Sequence, residues 1–372
     1  MNIALGATRL NLALNSECGH DGIAVYTQGL MSTLPLSIIT PAIFASDPNE
    51  YLAGNVHALG GFASFSVRSF LRGSLFNPFC SDNQPDLFHA TDHFIPRLPK
   101  TPVLANIHDA VSLMRPDWVS GGWERPAKNL IVKRMLNWAD HYLADSSAVV
   151  SDLASYVGID ENKISVVPLG VDSKYYQQIP LEKRADFFTN LGLPRSFFLF
   201  VGTLQPRKNI GRILAAHACL DSALRREMPL VFVGKIGWKF EKELIELRRA
   251  IDKRQAYWFQ NVDDMGKQIL LQSALALVFP SLYEGFGLPI LEAFASGLPV
   301  ITSNVSAMPE VAGDAALLVN PLDVEDIAFA MQRIAESPTL AFELSEKGRV
   351  RSREFTWQKT AEQTMAVYRE MM

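Results

Sequence analysis

Two series of short apolar runs, each interrupted by helix-length amphipathic segments, constrain this chain more than any other feature. A strand covered on both faces reads as an unbroken apolar run, and alternation of such strands with helices is the mark of parallel sheets layered with helices. In the first half the runs are TPVLANIHD (Thr101 to Asp109), HYLADSS (His141 to Ser147), followed by a helix through Tyr156, and ISVVPLG (Ile164 to Gly170). The second half restarts with FFLFVGT (Phe197 to Thr203) and continues through LVFVGK (Leu230 to Lys235), AYWFQ (Ala256 to Gln260), LALVFP (Leu275 to Pro280) and PVITS (Pro299 to Ser303). Between them, 171–196 is polar and punctuated by Pro180, Gly192 and Pro194, which predicts the region where one domain gives way to the next. The expected class is α/β, with two Rossmann-like doubly wound domains over 1–170 and 197–354, a linker over 171–196, and a last helix over 355–372. Ligands of such sheets sit at the carboxyl ends of the strands, so two sheets facing one another would form a cleft suited to a two-part substrate.

The chain has 372 residues, 48% hydrophobic and 20% charged, enough for two packed domains of ordinary globular composition. Its 35 basic and 39 acidic residues, net −4, argue against a protein that neutralises nucleic-acid backbone and favour a small partner. Cys18, Cys80 and Cys219 are far apart and form no Cys-x-x-Cys pair, so neither a disulfide framework nor a zinc site is expected and a reducing cytoplasm fits. The N-terminus carries Arg9 early and lacks an apolar segment of signal-peptide length, and no stretch approaches the roughly 18 apolar residues of a membrane span. In GFASFSVRSFLRGSLFNPF (Gly61 to Phe79), phenylalanines mix with Arg68 and Arg72. A core-facing helix is the preferred reading there, with peripheral membrane attachment as the alternative.

Chemistry concentrates in SLYEGFGLPILEAFASGLPVITS, where Glu284 and Glu292 lie eight positions apart. An apolar strand delivers Glu284 into a Gly-Phe-Gly loop, and Pro289 suits the first helical position, placing Glu292 near the first turn of a helix whose start attracts anions. If the ligand is a phosphorylated sugar, the two carboxylates would address its hydroxyls, leaving positive charge elsewhere to hold the anion. That charge is supplied by LQPRKNIGRIL, with Arg207 and Lys208 exposed on a strand-to-helix turn and Asn209 placed to cap the next helix. Adjacent guanidinium and ammonium groups stabilise a diphosphate leaving group through charge-assisted hydrogen bonds of about 1.5–3 kcal/mol each. No two aspartates lie two apart, so the Asp-x-Asp metal pair common in sugar transfer is absent and a metal-free route gains weight; adjacent Asp263 and Asp264 read as a helix N-cap region.

SLYEGFGLPILEAFASGLPVITSNVSAMPEVAGDAALLVNPLD, together with FVGTLQPRKN, closely resembles the retaining family-4 glycosyltransferases (glycosyl transferases group 1) of the GT-B fold, most strongly from about Phe197 to Ala330. The resemblance implies two Rossmann-like domains facing across a cleft, the first on the acceptor side and the second binding a nucleotide sugar. It also implies that the terminal FTWQKTAEQTMAVYRE crosses back toward the first domain. Carried over by position, it makes Glu284 the carboxylate facing the donor sugar, Glu292 the one near the ribose, and Arg207 and Lys208 the diphosphate clamp. Gly285, Phe286, Gly287 and Leu288 would lie against sugar and phosphate, where glycine permits close approach. The strand end around Asn261 and Val262 would edge the base, and Lys235 is a secondary phosphate or ribose contact, with a solvated lysine as the alternative.

In the first half the resemblance is looser. NSECGHDGIAVYTQGL keeps Gly19 and Gly22 of the glycine-rich turn, but His20 and Asp21 stand where small residues are usual, and Gly22 opens a helix able to offer amides to a phosphate or sugar. IHDA, followed by PDW, is similar to the mannosyltransferase-like branch that serves bacterial surface polysaccharides, in which the residue matching His108 lies by the donor sugar. A neutral imidazole there would hydrogen-bond a hydroxyl. His89 and His93 have helical metal-ligand spacing, but Phe94, Ile95 and Pro96 point to a strand-end loop instead. The implied activity is retaining, cofactor-free transfer of a sugar, with GDP-mannose favoured over UDP-hexoses, to a saccharide or lipid-linked saccharide. A nucleotide-sugar epimerase and an inactive nucleotide-sugar-binding homologue are the other readings. An NAD dehydrogenase is disfavoured because Gly285 and Gly287 lack the third glycine of G-x-G-x-x-G.

Overall fold

The computed structural model describes residues 1–15, 21–45, 49, 52, 55–79, 84–118 and 125–372. Gly19 and His20 of the expected glycine-rich turn, with Cys18 and Cys80, lie outside the described residues. The chain divides into two compact units, one comprising 1–114, 121–170 and 357–372 and the other 115–120 and 171–356.

The first unit runs β1 (Ile3–Gly6), α1 (Thr8–Leu14), α2 (Gly22–Thr33), β2 (Ile39–Ile43), β3 (His57–Ala58), α3 (Phe62–Arg72), β4 (Leu87–Ala90), β5 (Val103–Ile107), α4 (Val111–Met114), α5 (Arg125–Leu136), β6 (His141–Ala144), α6 (Ser147–Asp152) and β7 (Ile164–Val166). Its strands form one parallel sheet in the order β3-β2-β1-β4-β5-β6-β7. The apolar runs predicted β5, β6 and β7, whereas β1 to β4 escaped the reading. β2 carries Pro41, β3 has two residues, and β4 is four residues long with a polar His89, so none shows a recognisable run. One face is covered by a core joining Phe65 of α3, Leu136 of α5 and Val149 of α6, and the other by Leu10 of α1 and Ala24 of α2. Helix α3 is thus core-facing through Phe65 and Ser69, but it leaves Phe70 73% and Leu71 77% exposed.

The second unit contains α7 (Leu181–Leu191), β8 (Phe198–Val201), α8 (Ile210–Cys219), α9 (Ser222–Glu227), β9 (Leu230–Val233), α10 (Glu241–Asp252), β10 (Ala256–Phe259), α11 (Asp264–Ser273), β11 (Ala276–Phe279), α12 (Leu288–Ala295), β12 (Val300–Ser303), α13 (Met308–Ala312), β13 (Ala316–Val319), α14 (Val324–Glu336) and α15 (Pro338–Ser352). The stretch read as a linker therefore carries a helix. Pro180 stands at the N-cap of α7, and Gly192 ends it in the left-handed conformation at φ 63°, so the two residues taken as loop signals are helix boundaries. The parallel sheet has the order β10-β9-β8-β11-β12-β13. Its central strands β8, β9, β11 and β12 are buried at every residue, as apolar runs enclosed on both faces require. From β8 the chain steps to β9 and β10 on one side, then returns to β11 and proceeds to β12 and β13 on the other. The strand order thus reverses between β8 and β11, the place where such sheets open a ligand crevice. Beside it, Gly234 after β9 sits at φ 142°, and a Cβ there would lie 2.1 Å from the Gly202 carbonyl oxygen. Only glycine fits.

The terminal helix α16 (Trp357–Met371) belongs to the first unit. A Cβ on Gly29 of α2 would fall 2.4 Å from the Trp357 ring, so the missing side chain makes room for the indole. Thr360 donates to the Pro168 carbonyl at 2.8 Å, and the Tyr368 hydroxyl meets His89 Nδ1 at 2.7 Å in the buried interior.

Candidate active site

Two loops flank the reversal point of the second sheet. After β8, residues Pro206–Lys208 make a single 3₁₀ turn, and after β11 the chain passes through Ser281 to Gly287 into α12. Leu282 N–H donates to the Arg207 carbonyl at 2.7 Å, tying the loops together through backbone. Across them, Arg207 Nη1 lies 2.6 Å from Glu284 Oε2 and Lys208 Nζ 2.6 Å from Glu284 Oε1, and Arg207 also reaches the Tyr283 carbonyl at 3.1 Å. The sequence left Glu284 and the basic turn in separate roles, sugar and diphosphate; the structure joins them in one ion cluster. It also buries Lys208, which was expected to be exposed: only 6% of the residue is accessible, with Nζ 4.6 Å from the Phe279 ring centre. A buried ammonium needs a counter-charge, and Glu284 supplies it.

Burial by itself would raise the Glu284 carboxyl, but the neighbouring Arg207 and Lys208 overcome it and hold the group down at about 2. Glu284 is an anion at every physiological pH, with each oxygen facing a cation. Two cationic side chains thus meet this one carboxylate. The Glu284 backbone is braced by Ser306, whose hydroxyl donates to the Glu284 carbonyl at 2.5 Å from a residue held at φ 57°. No motif marked Ser306.

Asn209 occupies the N-cap position of α8 as expected, but it sits at φ 62° and its side chain does not cap. The amide instead donates to the carbonyls of Pro280 at 2.9 Å and Pro321 at 2.6 Å, pinning the basic turn to the neighbouring loops. Gly285 and Phe286 are buried, the latter edge-on to Phe355 at 5.9 Å between ring centres. Gly287, at φ 118°, is the N-cap of α12, which begins at Leu288, so Pro289 is its second residue and Glu292 its fifth, near the first turn. Glu292 is 7% exposed and faces Tyr175 and Lys267, neither of which the sequence singled out.

Val262 lies between β10 and α11, and its side chain turns toward Gly266, where a Cβ would lie 2.7 Å from Val262 Cγ1. Asp263 is the N-cap of α11, accepting from Gly266 N–H at 2.7 Å, while Asp264 pairs with Lys174 at 2.6 Å. Lys235 is half-buried, and its carbonyl accepts from Leu204 N–H at 2.8 Å.

In the first unit, Gly22 is the first residue of α2, capped by Asp21, whose carboxylate accepts from Ala24 N–H at 2.9 Å. Among the described residues nothing lies within 4 Å of a Cβ placed at Gly22, so crowding by them does not explain the glycine. His108 follows β5 and donates through Nδ1 to Asp145 Oδ2 at 2.7 Å and through Nε2 to the Thr91 carbonyl at 3.0 Å. Burial opposes its charge, but the Asp145 carboxylate prevails and pushes the imidazole up to about 9. The expectation of a neutral imidazole is therefore corrected: with acceptors on both nitrogens, His108 is a fixed cation. Asp145, itself 1% exposed and held by Asn106 Nδ2 at 3.0 Å, was missed because its partnership spans 37 residues. His89 is a β4 residue with a buried ring, and burial drives it down to about 3. Among the described residues no group of three or more histidine, cysteine or carboxylate side chains is arranged to hold a metal ion.

Comparisons with known proteins bear on the family and the fold. Residues 20–175 match the family described as Glycosyltransferase Family 4, and residues 183–351 match Glycosyl transferases group 1. Among curated relatives, the O-antigen chain mannosyltransferase B of Escherichia coli is 34% identical over 175 residues, covering 47% of this chain and 46% of the relative. The MMP alpha-(1->4)-mannosyltransferase of Mycolicibacterium hassiacum is 31% identical over 280 residues, covering 72% and 65%. The matched stretches thus span less than two thirds of either relative. Sucrose-phosphate synthase from Thermosynechococcus elongatus superposes with a TM-score of 0.76 at 23% identity, over 100% of this chain and 99% of that one, which fixes the GT-B type of fold. With the two matches lying one in each half and together covering most of its length, the chain belongs to the family-4, group-1 glycosyltransferases.

Proposed function

We propose that the protein is a retaining, metal-independent glycosyltransferase that transfers mannose from GDP-mannose to a hydroxyl of a saccharide or lipid-linked saccharide acceptor. The observation that carries this reading is the Arg207–Lys208–Glu284 cluster at the reversal point of the second sheet. A departing diphosphate needs its growing charge stabilised, and preorganised cations in a water-poor pocket do so without reorganisation. The sequence lacks an Asp-x-Asp pair, which supports the basic pair in place of a divalent ion. Relatives named as mannosyltransferases support mannose as the sugar. A carboxylate held at about 2 with both oxygens facing cations is a weak nucleophile, which supports same-face substitution, with the leaving phosphate taking the acceptor proton, over a covalent Glu284 intermediate. In this proposal Glu284 keeps the clamp in place and orients sugar hydroxyls, and Glu292 contacts the ribose. Gly285 to Leu288 line the phosphate and sugar, Val262 and Lys235 the base and ribose edge, and Gly22 offers helix-start amides to the donor; His108 contributes a positive charge.

A cytoplasmic protein with a peripheral membrane contact completes the proposal. No described helix is long and apolar enough to cross a membrane, while the exposed Val67, Phe70 and Leu71 of α3, beside Arg68 and Arg72, fit the interface of an anionic bilayer carrying a lipid-linked acceptor. Nucleoside diphosphate release from GDP-mannose and UDP-glucose, with and without EDTA and mannose-containing acceptors, tests the reading. GDP release that persists in EDTA is expected. Release of UDP alone would move the donor, loss in EDTA would remove metal independence, and an epimerised donor without acceptor would replace transfer by epimerisation.

A further inference from the structure

Glu292 is not an open carboxylate. Tyr175, in the 3₁₀ turn Ser173–Tyr176 that opens the second unit, donates its hydroxyl to Glu292 Oε1 at 3.0 Å. Lys267, from α11, places Nζ 2.7 Å from Oε1 and 2.7 Å from Oε2, straddling the group. Two separate elements converge on this one side chain, and Tyr175 and Glu292 are 4% and 7% exposed. The phenol is locked in its donating form: burial raises its pKa, and the adjacent Glu292 charge raises it further. Lys174 does not compete for Glu292, since its ammonium pairs with Asp264 at 2.6 Å, and both lysine ammonium groups lie 5.5 Å from the Tyr175 ring centre.

A carboxylate has about four acceptor sites, two on each oxygen. Two donors meet Oε1 and one meets Oε2. We infer that Tyr175 and Lys267 are positioning residues that leave Glu292 a single open acceptor site, on Oε2, and so restrict it to one hydroxyl of the ribose in a bound nucleotide. This rests on the ribose role proposed for Glu292. A carboxylate free to rotate would accept both vicinal hydroxyls and discriminate neither; one fixed in this way selects a particular hydroxyl by position. The inference therefore concerns specificity: Tyr175 and Lys267 act through Glu292 and set which deoxyribose is rejected.

Calorimetric titration of the full chain with GDP, 2′-deoxy-GDP and 3′-deoxy-GDP, and with the corresponding uridine forms, reads this directly. For the wild-type protein one deoxy form should lose about 10- to 100-fold in affinity, the value of one hydrogen bond to a charged group, and the other less than about threefold. Tyr175→Phe frees a site on Oε1 and should bring the two deoxy forms within about threefold of one another; Lys267→Met, which releases both oxygens, should do the same. A residue that merely supports the fold would weaken all forms together and leave their ratio intact, which would overturn the inference, as would equal losses for both deoxy forms in the wild type. Glu292→Gln separates the two levels. If it keeps the wild-type ratio, the ribose role of Glu292 fails; if it abolishes the ratio while Tyr175→Phe and Lys267→Met preserve it, that role stands and the positioning inference falls. Absence of binding by either nucleotide contradicts both.

Discussion

At the scale of single residues, the account turns on ion pairs that the sequence cannot display. Glu284 and the Arg207–Lys208 turn are 76 and 77 positions apart, and only the adjacency of β8 and β11 brings them together. Lys208→Ala should lower turnover by about 100-fold or more by removing one preorganised charge, and Glu284→Gln by a similar factor through a loosened clamp. Steady-state kinetics on variants whose circular dichroism matches the parent decide this, and near-normal transfer in either would remove the site assignment. Glutamine keeps the shape of the side chain but removes the counter-charge to the buried Lys208 ammonium, so a stability loss of up to about 3–5 kcal/mol accompanies it. The His108–Asp145 pair predicts a pH effect of opposite sign to that of Glu284. His108 is raised from 6.5 to about 9, so its stabilisation is complete below pH 6.5 and is lost as pH rises through 9. Glu284 is lowered from 4.5 to about 2, so its stabilisation is complete above pH 4.5 and is lost as pH falls toward 2. Asp145→Asn should lower the melting temperature at pH 6 and flatten the decline between pH 6.5 and 9; an unchanged alkaline profile would contradict the imidazolium.

At the scale of elements, apolar runs and turn residues predicted most of the second unit, and the exceptions have physical reasons. Strands β8, β9, β11 and β12 are enclosed on both faces, so their composition alone reports them. Strand β13 did not stand out because it lies at the sheet edge, with only Val319 of its four residues buried and Leu318 40% exposed. Helix α7 buries no residue, so the polar text around it resembled a linker. The loop chemistry at Glu284 was legible from Gly-Phe-Gly and Pro289, whereas Tyr175, Lys267, Asp145 and Ser306 were not, since each acts through a long-range contact of an unremarkable residue type. Helix α3 was read as core-facing, and Phe65 does enter the core, while Phe70 and Leu71 face outward. Flotation with vesicles containing anionic lipid should recover the protein, and Phe70→Glu with Leu71→Glu should reduce recovery about tenfold or more by taking two apolar side chains out of the interface. Equal recovery of parent and variant would contradict a membrane role for α3.

At the scale of the whole molecule, the first unit is not contiguous in sequence: its last helix arrives after the entire second unit has been built. Helix α16 is held there by the Trp357 ring against Gly29, the Thr360–Pro168 bond and the Tyr368–His89 bond. Tyr368→Phe leaves a buried imidazole nitrogen without its partner and should destabilise the first unit by about 1–3 kcal/mol. Differential scanning calorimetry should show this as a downward shift of one transition, and a shift of both together or of neither would contradict the assignment of α16 to the first unit.

The central claim is transfer of a sugar with retention by the cluster at the reversal point of the second sheet. Proton NMR of a reaction containing α-linked GDP-mannose and a mannose-terminated acceptor follows donor loss and the new anomeric signal together. The account predicts an α-mannoside product formed with EDTA present, and a β-mannoside, or an intact donor beside a folded protein, would contradict it.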